Sequence, residues 1–154
     1  PRLSAAAAGL AAVALAVFAA GSAAAPGPQS ADSRWEPYSE QRLAELRAEA
    51  RPVFVDFTAA WCLSCQVNER VALNSGAARE AFAEADVALL KADWTSRDPA
   101  TTQALQSFGR SGVPLYVLYP AGGSPPEILP ALLTPGMIVD AVRHASSTSP
   151  VDSP

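Results

Sequence analysis

Two cysteines separated by two residues lie where the sequence passes from a predicted strand to a predicted helix. The segment Val53 to Thr58 is β-branched and aromatic, and it is apolar except at Asp56, which predicts a central strand covered on both faces. A short loop follows, and Cys62 begins a predicted helix that runs to about Leu73. A buried strand leading into a helix with a cysteine pair in its first turn constrains the fold more than any other feature of the sequence.

This placement gives the cysteine pair a chemical role. Free N–H groups and the dipole at a helix N-terminus stabilise an anion, so we expect Cys62 to be the exposed, attacking thiolate. Cys65 lies one turn further along and is predicted to be the buried, resolving thiol. A nucleophile of lowered pKa beside a resolving thiol is what reversible thiol–disulfide exchange requires.

Other uses of a cysteine pair are compatible with the spacing alone. A zinc site needs four ligands, whereas the chain offers only these two cysteines and a distant His144. A purely structural disulfide that closes so short a loop would stabilise the fold little. Two cysteines can also hold Cu(I), but no Met or His stands near them. The sequence therefore favours a redox-active Cys62–Cys65 pair that needs no metal and no other cofactor.

The rest of the chain alternates between helices and strands. A helix opens at Ser39-Glu40, carries an apolar stripe at Leu43, Leu46 and Ala50, and ends before Pro52. After the cysteine helix, the patterns predict helices over 76–85, 98–108 and 135–144, and strands over 87–93, 115–119 and 127–132. This order predicts an α/β sandwich with a mixed sheet.

The two ends of the chain differ in composition from its centre. Leu3 to Ala25 carries no charge, and its 23 residues suffice to cross a hydrocarbon core of about 30 Å. Arg2 precedes it, so the part that follows should face outward. Ser22-Ala23-Ala24 is equally a small-residue cleavage site, which leaves a secretory signal peptide open. We expect a transmembrane helix or signal over 1–25, a linker over 26–34, a folded domain over 35–145 and a disordered tail over 146–154.

The charge of the chain excludes some classes of partner and site. A net charge of −4 and a pI near 4.9 argue against a nucleic-acid partner, because a phosphate-binding surface needs a basic excess. A single histidine, His144, excludes a multi-histidine metal centre, and we assign it no catalytic role.

Two motifs together resemble the thioredoxin superfamily. They are Trp61-Cys62-x-x-Cys65 after a hydrophobic strand and Gly112-Val113-Pro114 further along the chain. The segments 35–39, 51–62 and Cys65-Gln66-x-Asn68-Glu69 are more specifically similar to the C-terminal periplasmic domain of the DsbD family. The resemblance covers nearly all of 52–144 and implies a thioredoxin-like three-layer sandwich, preceded here by one hydrophobic helix. It also implies a cis bond before Pro114, with Val113 and Pro114 beside the cysteines and Trp61 covering the disulfide.

Two acids match carboxylates that the DsbD family places near its cysteine pair. These are Asp56, in the middle of the apolar strand, and Glu69, about two helical turns after Cys62. A negative charge near a thiol raises its pKa, so both acids are expected to restrain Cys62 until a partner docks. A solvated helix-face charge at Glu69 and a hydrogen-bonded structural acid at Asp56 are the alternatives.

The resemblance also implies a place and a set of partners. We expect a monomer held in the inner membrane by its N-terminal segment, with its domain facing the periplasm. It would take electrons from a membrane-embedded cysteine pair and pass them to periplasmic thiol/disulfide proteins, including those of cytochrome c maturation. One alternative is a stand-alone secreted thioredoxin-like reductase for cytochrome c maturation. A thiol copper-binding module is the alternative of another class.

Overall fold

A computed structural model describes residues 34–147, and within that range the chain forms a mixed five-stranded sheet and five α-helices. The strands are β1 (Trp35–Pro37), β2 (Val53–Thr58), β3 (Ala88–Asp93), β4 (Leu115–Tyr119) and β5 (Glu127–Leu129). The helices are α1 (Glu40–Ala48), α2 (Leu63–Asn68), α3 (Gly76–Glu84), α4 (Pro99–Ser107) and α5 (Pro135–Ser147). A π-helical turn, Glu69–Leu73, continues α2, and a 3-10 turn, Ala121–Gly123, follows β4.

The strands lie in the order β1-β3-β2-β4-β5, so β2 is central, as its apolar sequence predicts. β1, β3 and β2 run parallel, whereas β4 and β5 are antiparallel to their neighbours. In this register Asp56 of β2 lies between Lys91 of β3 and Tyr116 of β4. Because register neighbours point to the same side of a sheet, these three side chains share one face.

Helices cover both faces of the sheet and complete the predicted three layers. The α1 face is packed by α1 and α4, and its buried strand residues are aliphatic or aromatic: Val53, Val55, Phe57, Ala88, Leu90, Ala92, Leu115, Val117 and Tyr119. The α2 face is packed by the π-helical turn, α3 and α5, and its apolar strand residues are Phe54, Leu89, Tyr116, Leu118 and Leu129. The fold class is therefore confirmed for residues 34–147 as a thioredoxin-like α/β sandwich.

Local sequence signals explain where several helices begin. Ser39, Ser75 and Asp98 each accept a hydrogen bond at a helix start, from Arg42 N, Ala78 N and Thr101 N respectively, which satisfies N–H groups that lack a helical partner. Pro99 then occupies the first turn of α4, where its missing N–H costs nothing.

The structure differs from the sequence prediction at five places. Strand β1 was absent from the predicted elements. Helix α1 ends at Ala48, because Ala50 adopts a left-handed backbone with φ of 57° and leaves the apolar stripe. The predicted helix after Cys62 changes to π-helix at Glu69. Strand β5 stops at Leu129, since the proline that follows has no N–H for the ladder. Helix α5 continues to Ser147, two residues into the predicted tail.

The predicted segment over 1–25, nearly all of the linker and residues 148–154 of the predicted tail lie outside the described residues. Within 34–147, none of the helices has the length and apolar character needed to cross a bilayer.

Candidate functional site

The two cysteines form a disulfide at the start of α2. The sulfur atoms are 2.08 Å apart and the Cα atoms are 5.3 Å apart. Cys62 is the N-cap of the helix, and its Sγ accepts a hydrogen bond from the Cys65 backbone N–H at 3.2 Å. The sulfur therefore takes the position that a Ser or Asp oxygen fills in other helices, facing the free N–H groups of the first turn.

The disulfide is largely covered. Cys62 is 6% exposed and Cys65 is 2% exposed, and Ala59 and Val113 pack against the pair. Cys62 is the more accessible of the two cysteines, but the expectation of an exposed Cys62 is wrong for the disulfide form, because Val113 and the preceding loop shield it.

The second loop of the site carries the predicted proline. The Val113–Pro114 peptide bond is cis, as the resemblance implies, and Val113 contacts the cluster formed by the cysteines. Sequence segments about fifty positions apart are thus brought to the same edge of the sheet, where β2 ends and β4 begins.

Trp61 lies beside the disulfide and remains 47% exposed. Its indole Nε1–H donates to the Thr95 carbonyl oxygen at 3.2 Å, and the Ala60 N–H donates to Thr95 Oγ1 at 2.8 Å. Thr95 is held in turn by Asp93, whose carboxylate accepts from both the Thr95 hydroxyl and its N–H. These bonds fix the loop after β2 to the loop after β3.

Asp56 is buried on the α2 face, with 2% of its surface exposed. Among residues 34–147, its Oδ1 has no hydrogen-bond partner. Burial raises the pKa of Asp56 to about 7, an effect that the Lys91 ammonium opposes and the Glu69 carboxylate reinforces. One oxygen of this buried carboxyl group thus lacks a partner, and its pKa places the change of its charge near neutral pH.

Glu69 and Asp56 are linked through one lysine. Glu69 Oε1 lies 2.8 Å from Lys91 Nζ, and Lys91 is the register neighbour of Asp56 on β3. The ammonium also lies 5.3 Å from the ring centroid of Trp35. Glu69 is thus an ion-paired residue directed at the sheet rather than a solvated helix-face charge, and the π-helical turn that begins there carries it.

Asn68 and Lys91 are site neighbours that the sequence reasoning did not single out. The buried Asn68 amide donates to Tyr116 Oη at 2.9 Å and to the Ala131 carbonyl at 2.7 Å, and it accepts from Leu133 N–H at 3.1 Å. It joins α2 to the sheet and to the loop before α5. The sequence signal for Asn68 was that a single amide side chain lies on the inner side of the predicted cysteine helix.

The geometry brings together two groups of predicted residues. Trp61, both cysteines and Val113 with Pro114 form the reactive edge, while the buried Asp56 and the partly exposed Glu69 form a charged group with Lys91 on the α2 face. Two sulfurs in one turn can exchange two electrons with another dithiol or disulfide. Within residues 34–147, no group of three His, Cys, Asp or Glu side chains is placed to hold a metal ion.

Comparisons with known proteins point to the same chemistry. A family model described as thioredoxin-like matches residues 34–121. Thiol:disulfide interchange protein DsbD of Ralstonia nicotianae is 38% identical over 85 residues, which cover 55% of this chain and 14% of that protein. The corresponding DsbD 1 of Pseudomonas aeruginosa is 30% identical over 102 residues, covering 63% of this chain and 17% of that protein. The matched part of the chain therefore covers only 14% and 17% of the length of these two curated relatives.

A solved structure supports the fold. The oxidised C-terminal domain of DsbD from Neisseria meningitidis superimposes with a TM-score of 0.58 at 20% sequence identity. The superposition covers 71% of this chain and 99% of that chain.

Proposed function

This chain belongs to the thioredoxin-like family, and from that premise we propose that it is the reductant of a periplasmic electron relay, held at the inner membrane. Its Cys62–Cys65 couple, together with its DsbD relatives, makes it a thiol–disulfide oxidoreductase. In the proposed relay it receives two electrons from a membrane-embedded cysteine pair and passes them to disulfide-bearing proteins of the periplasm.

The observation that carries the proposal is the disulfide at the N-terminus of α2, with Cys62 as the more accessible sulfur. In the reduced form, the Cys62 thiolate attacks one sulfur of a partner disulfide, and the partner's other sulfur leaves as a thiolate that takes up a proton. The Cys65 thiolate then attacks Cys62 Sγ, which closes the Cys62–Cys65 disulfide and releases the partner's first sulfur. Two electrons pass to the partner, whose disulfide becomes a dithiol.

We propose that the carboxylates of Asp56 and Glu69 raise the pKa of the Cys62 thiol and restrain it until a partner docks. Asp56 is buried on the α2 face, and burial raises its own pKa to about 7, so its charge changes near neutral pH. The ion pair of Glu69 with Lys91, at 2.8 Å, joins the turn after α2 to the strand beside Asp56.

Two observations support the proposed location and route. The uncharged segment from Leu3 to Ala25 follows Arg2, an arrangement typical of a span or signal that delivers the following domain outward. The curated relatives are named as thiol:disulfide interchange proteins, and the thioredoxin-like family model matches residues 34–121, which contain both cysteines. A stand-alone secreted reductase would use the same site and differ only in what supplies its electrons.

An equilibrium titration of the full chain against a thiol redox buffer tests the direction of electron flow. The chain has only two cysteines, so alkylation followed by mass spectrometry counts the reduced pair directly. We expect a two-electron transition closer to about −270 mV, as in thioredoxin, than to about −120 mV, as in DsbA. A reduction potential near about −120 mV would contradict the proposed role as a reductant and would indicate a protein that donates its disulfide to partners.

Single-cysteine variants test the order of attack. We expect Cys65→Ser to accumulate a mixed disulfide with a substrate protein through Cys62, because the resolving thiol is absent. The matched variant Cys62→Ser should accumulate far less, since Cys65 is covered. Equal trapping by the two variants would contradict the assignment of Cys62 as the attacking thiol.

A further inference from the structure

An arginine lies against the tryptophan at the reactive edge. The guanidinium carbon of Arg97 is 5.3 Å from the ring centroid of Trp61 and 5.5 Å from that of Trp94. The two indole rings are themselves 5.9 Å apart. We call these three side chains the Trp–Arg–Trp cluster. Cation–π contact with two rings holds the guanidinium near the residue that precedes Cys62.

The cluster is fixed to both loops that carry the reactive residues. Its Trp61 indole is bonded to Thr95, in the same loop as Arg97. Trp94 is buried, donates from Nε1 to Thr102 Oγ1 at 2.8 Å, and passes close to Gly112, where an added Cβ would lie 4.0 Å from its Cζ3. Trp94 therefore connects the loop of Arg97 to the loop of the cis peptide bond. The position of the guanidinium relative to the disulfide is set by packing rather than by a free side chain.

The guanidinium of Arg97 contacts rings but is not paired with a carboxylate within residues 34–147. Arg97 is exposed, and within residues 34–147 it takes part in no ion pair. The nearest acids in the sequence are engaged with backbone donors: Asp93 accepts from Thr95 N–H and Asp98 accepts from Thr101 N–H. The N–H groups of a guanidinium that stacks on rings lie in its plane and remain available to an acceptor.

The backbone at Arg97 is also unusual. Its φ of 56° lies in the left-handed region, where glycine and asparagine are preferred over a long side chain. Its N–H donates to the Trp94 carbonyl at 3.0 Å, closing a tight turn that directs the arginine back toward the two rings. Backbone strain of this kind is concentrated at functional sites, and here it accompanies a side chain that stacks beside the reactive edge.

We propose that Arg97 determines specificity by binding a carboxylate that the partner polypeptide carries beside its reactive cysteine. The proposal rests on the proposed reductant function and names the feature of the partner that the site selects. A guanidinium pairs with a carboxylate through two parallel hydrogen bonds, and stacking on two rings reduces the freedom lost on binding. In a chain of net charge −4, this local cation offsets the general repulsion of an acidic partner at the point of electron transfer.

Three disulfide-linked peptides that differ only in the residue next to the cysteine, Glu, Gln or Lys, test the proposal. The measurement is the second-order rate constant for their reduction by the reduced full chain. We expect the Glu peptide to react about fivefold faster than the Gln peptide, the effect of an exposed pair of about 1 kcal/mol, and the Lys peptide to react more slowly than both. High salt should reduce this preference.

Two variants with the same change of charge complete the test. We expect Arg97→Gln to bring the ratio of the Glu and Gln peptide rates close to one, and this ratio is independent of any general change in fold or disulfide chemistry, because both peptides are reduced by the same variant. Arg79→Gln, on the outer surface of α3, should keep the preference. Equal rates for all peptides with the wild-type chain, or a preference that survives Arg97→Gln, would overturn the role of Arg97. Failure to reduce any of the peptides would instead overturn the proposed reductant.

Discussion

The two faces of the central sheet are built from the same strands but contain different chemistry. The α1 face buries only aliphatic and aromatic strand residues, such as Phe57, Leu90 and Val117. The α2 face buries Asp56 and holds Lys91 and Asn68 nearby, directly under the helix that carries the cysteines. Because side chains alternate along a strand, one face can take polar groups without disturbing the other. Both faces bury apolar residues, but only the face that meets the cysteine helix also holds titratable groups.

The largest effect on stability is expected from the α1 face. Phe57→Ala removes a fully buried ring that packs against Tyr38 and Phe108, and we expect it to lower the free energy of unfolding by about 3–5 kcal/mol. Denaturant unfolding at several pH values would measure it. The loss should be the same at pH 5 and pH 8, as it should for Phe54→Ala on the other face. A loss for Phe57→Ala that changes strongly with pH would contradict the separation of the two faces.

Asp56→Asn is expected to have the next largest effect on the free energy of unfolding, and it should raise this free energy rather than lower it. Since the folded pKa of about 7 lies above the ordinary 3.8, the folded state holds its proton more tightly than the unfolded state between these values. The stability that Asp56 contributes is therefore present below about pH 4 and lost as pH rises through 7, by roughly 4 kcal/mol at most.

We therefore expect Asp56→Asn to be more stable than the wild type by about 2–4 kcal/mol at pH 8, with little difference at pH 4. Paired denaturant titrations across this range would measure the difference. A constant difference between the two proteins at all pH values would show that Asp56 does not titrate near 7.

Asn68→Ala should cost about 1–3 kcal/mol, because it leaves the Leu133 N–H and the Tyr116 hydroxyl without their partner. Asn74→Ala is the matched control, since Asn74 is exposed at the end of the π-helical turn. Hydrogen exchange of the Leu133 amide would locate the damage. If Asn68→Ala and Asn74→Ala lowered the free energy of unfolding by the same small amount, the buried hydrogen bonds of Asn68 would not stabilise the α2 face.

The smallest effect is expected at Glu69. Its ion pair with Lys91 is partly exposed, so Glu69→Gln should change the free energy of unfolding by about 1 kcal/mol or less. Because the Glu69 charge helps to raise the pKa of Asp56, that pKa should fall in the variant, as followed by NMR of the Asp56 carboxyl carbon. Glu84→Gln on α3 should leave it unchanged. If the pKa of Asp56 were unchanged in Glu69→Gln, the charge of Glu69 would have no influence on the protonation of Asp56.

The central strands could be read from the sequence because their signals are local. β2 occupies the predicted Val53–Thr58 and β4 the predicted Leu115–Tyr119, since runs of β-branched and aromatic residues need no distant information to be recognised. β1 escaped prediction because its three residues are extended only through pairing with β3, far along the chain. The π-helical turn was likewise not predictable from local sequence, because Glu69, where it begins, pairs with Lys91 of the sheet, 22 residues further along the chain.

The reactive residues were predictable because Cys62, Cys65 and Pro114 belong to motifs. Arg97 and Thr95 belong to no such motif, and they contact Trp61 only because β3 lies beside β2 and ends at the same edge. The strand order, which no local pattern encodes, is what made them neighbours. The only sign of Thr95 and Arg97 in the sequence was that two polar residues follow closely after the buried strand β3.

The direction of β1 sets how the domain can be held. Because β1, β2 and β3 run parallel, Trp35 enters the sheet beside Leu89, four residues before β3 ends at Asp93. At about 3.3 Å per residue, this places the point of entry about 13 Å behind the reactive edge. Chain upstream of Arg34 therefore joins the domain behind the disulfide, and the edge that a partner must reach lies at the other end of β3.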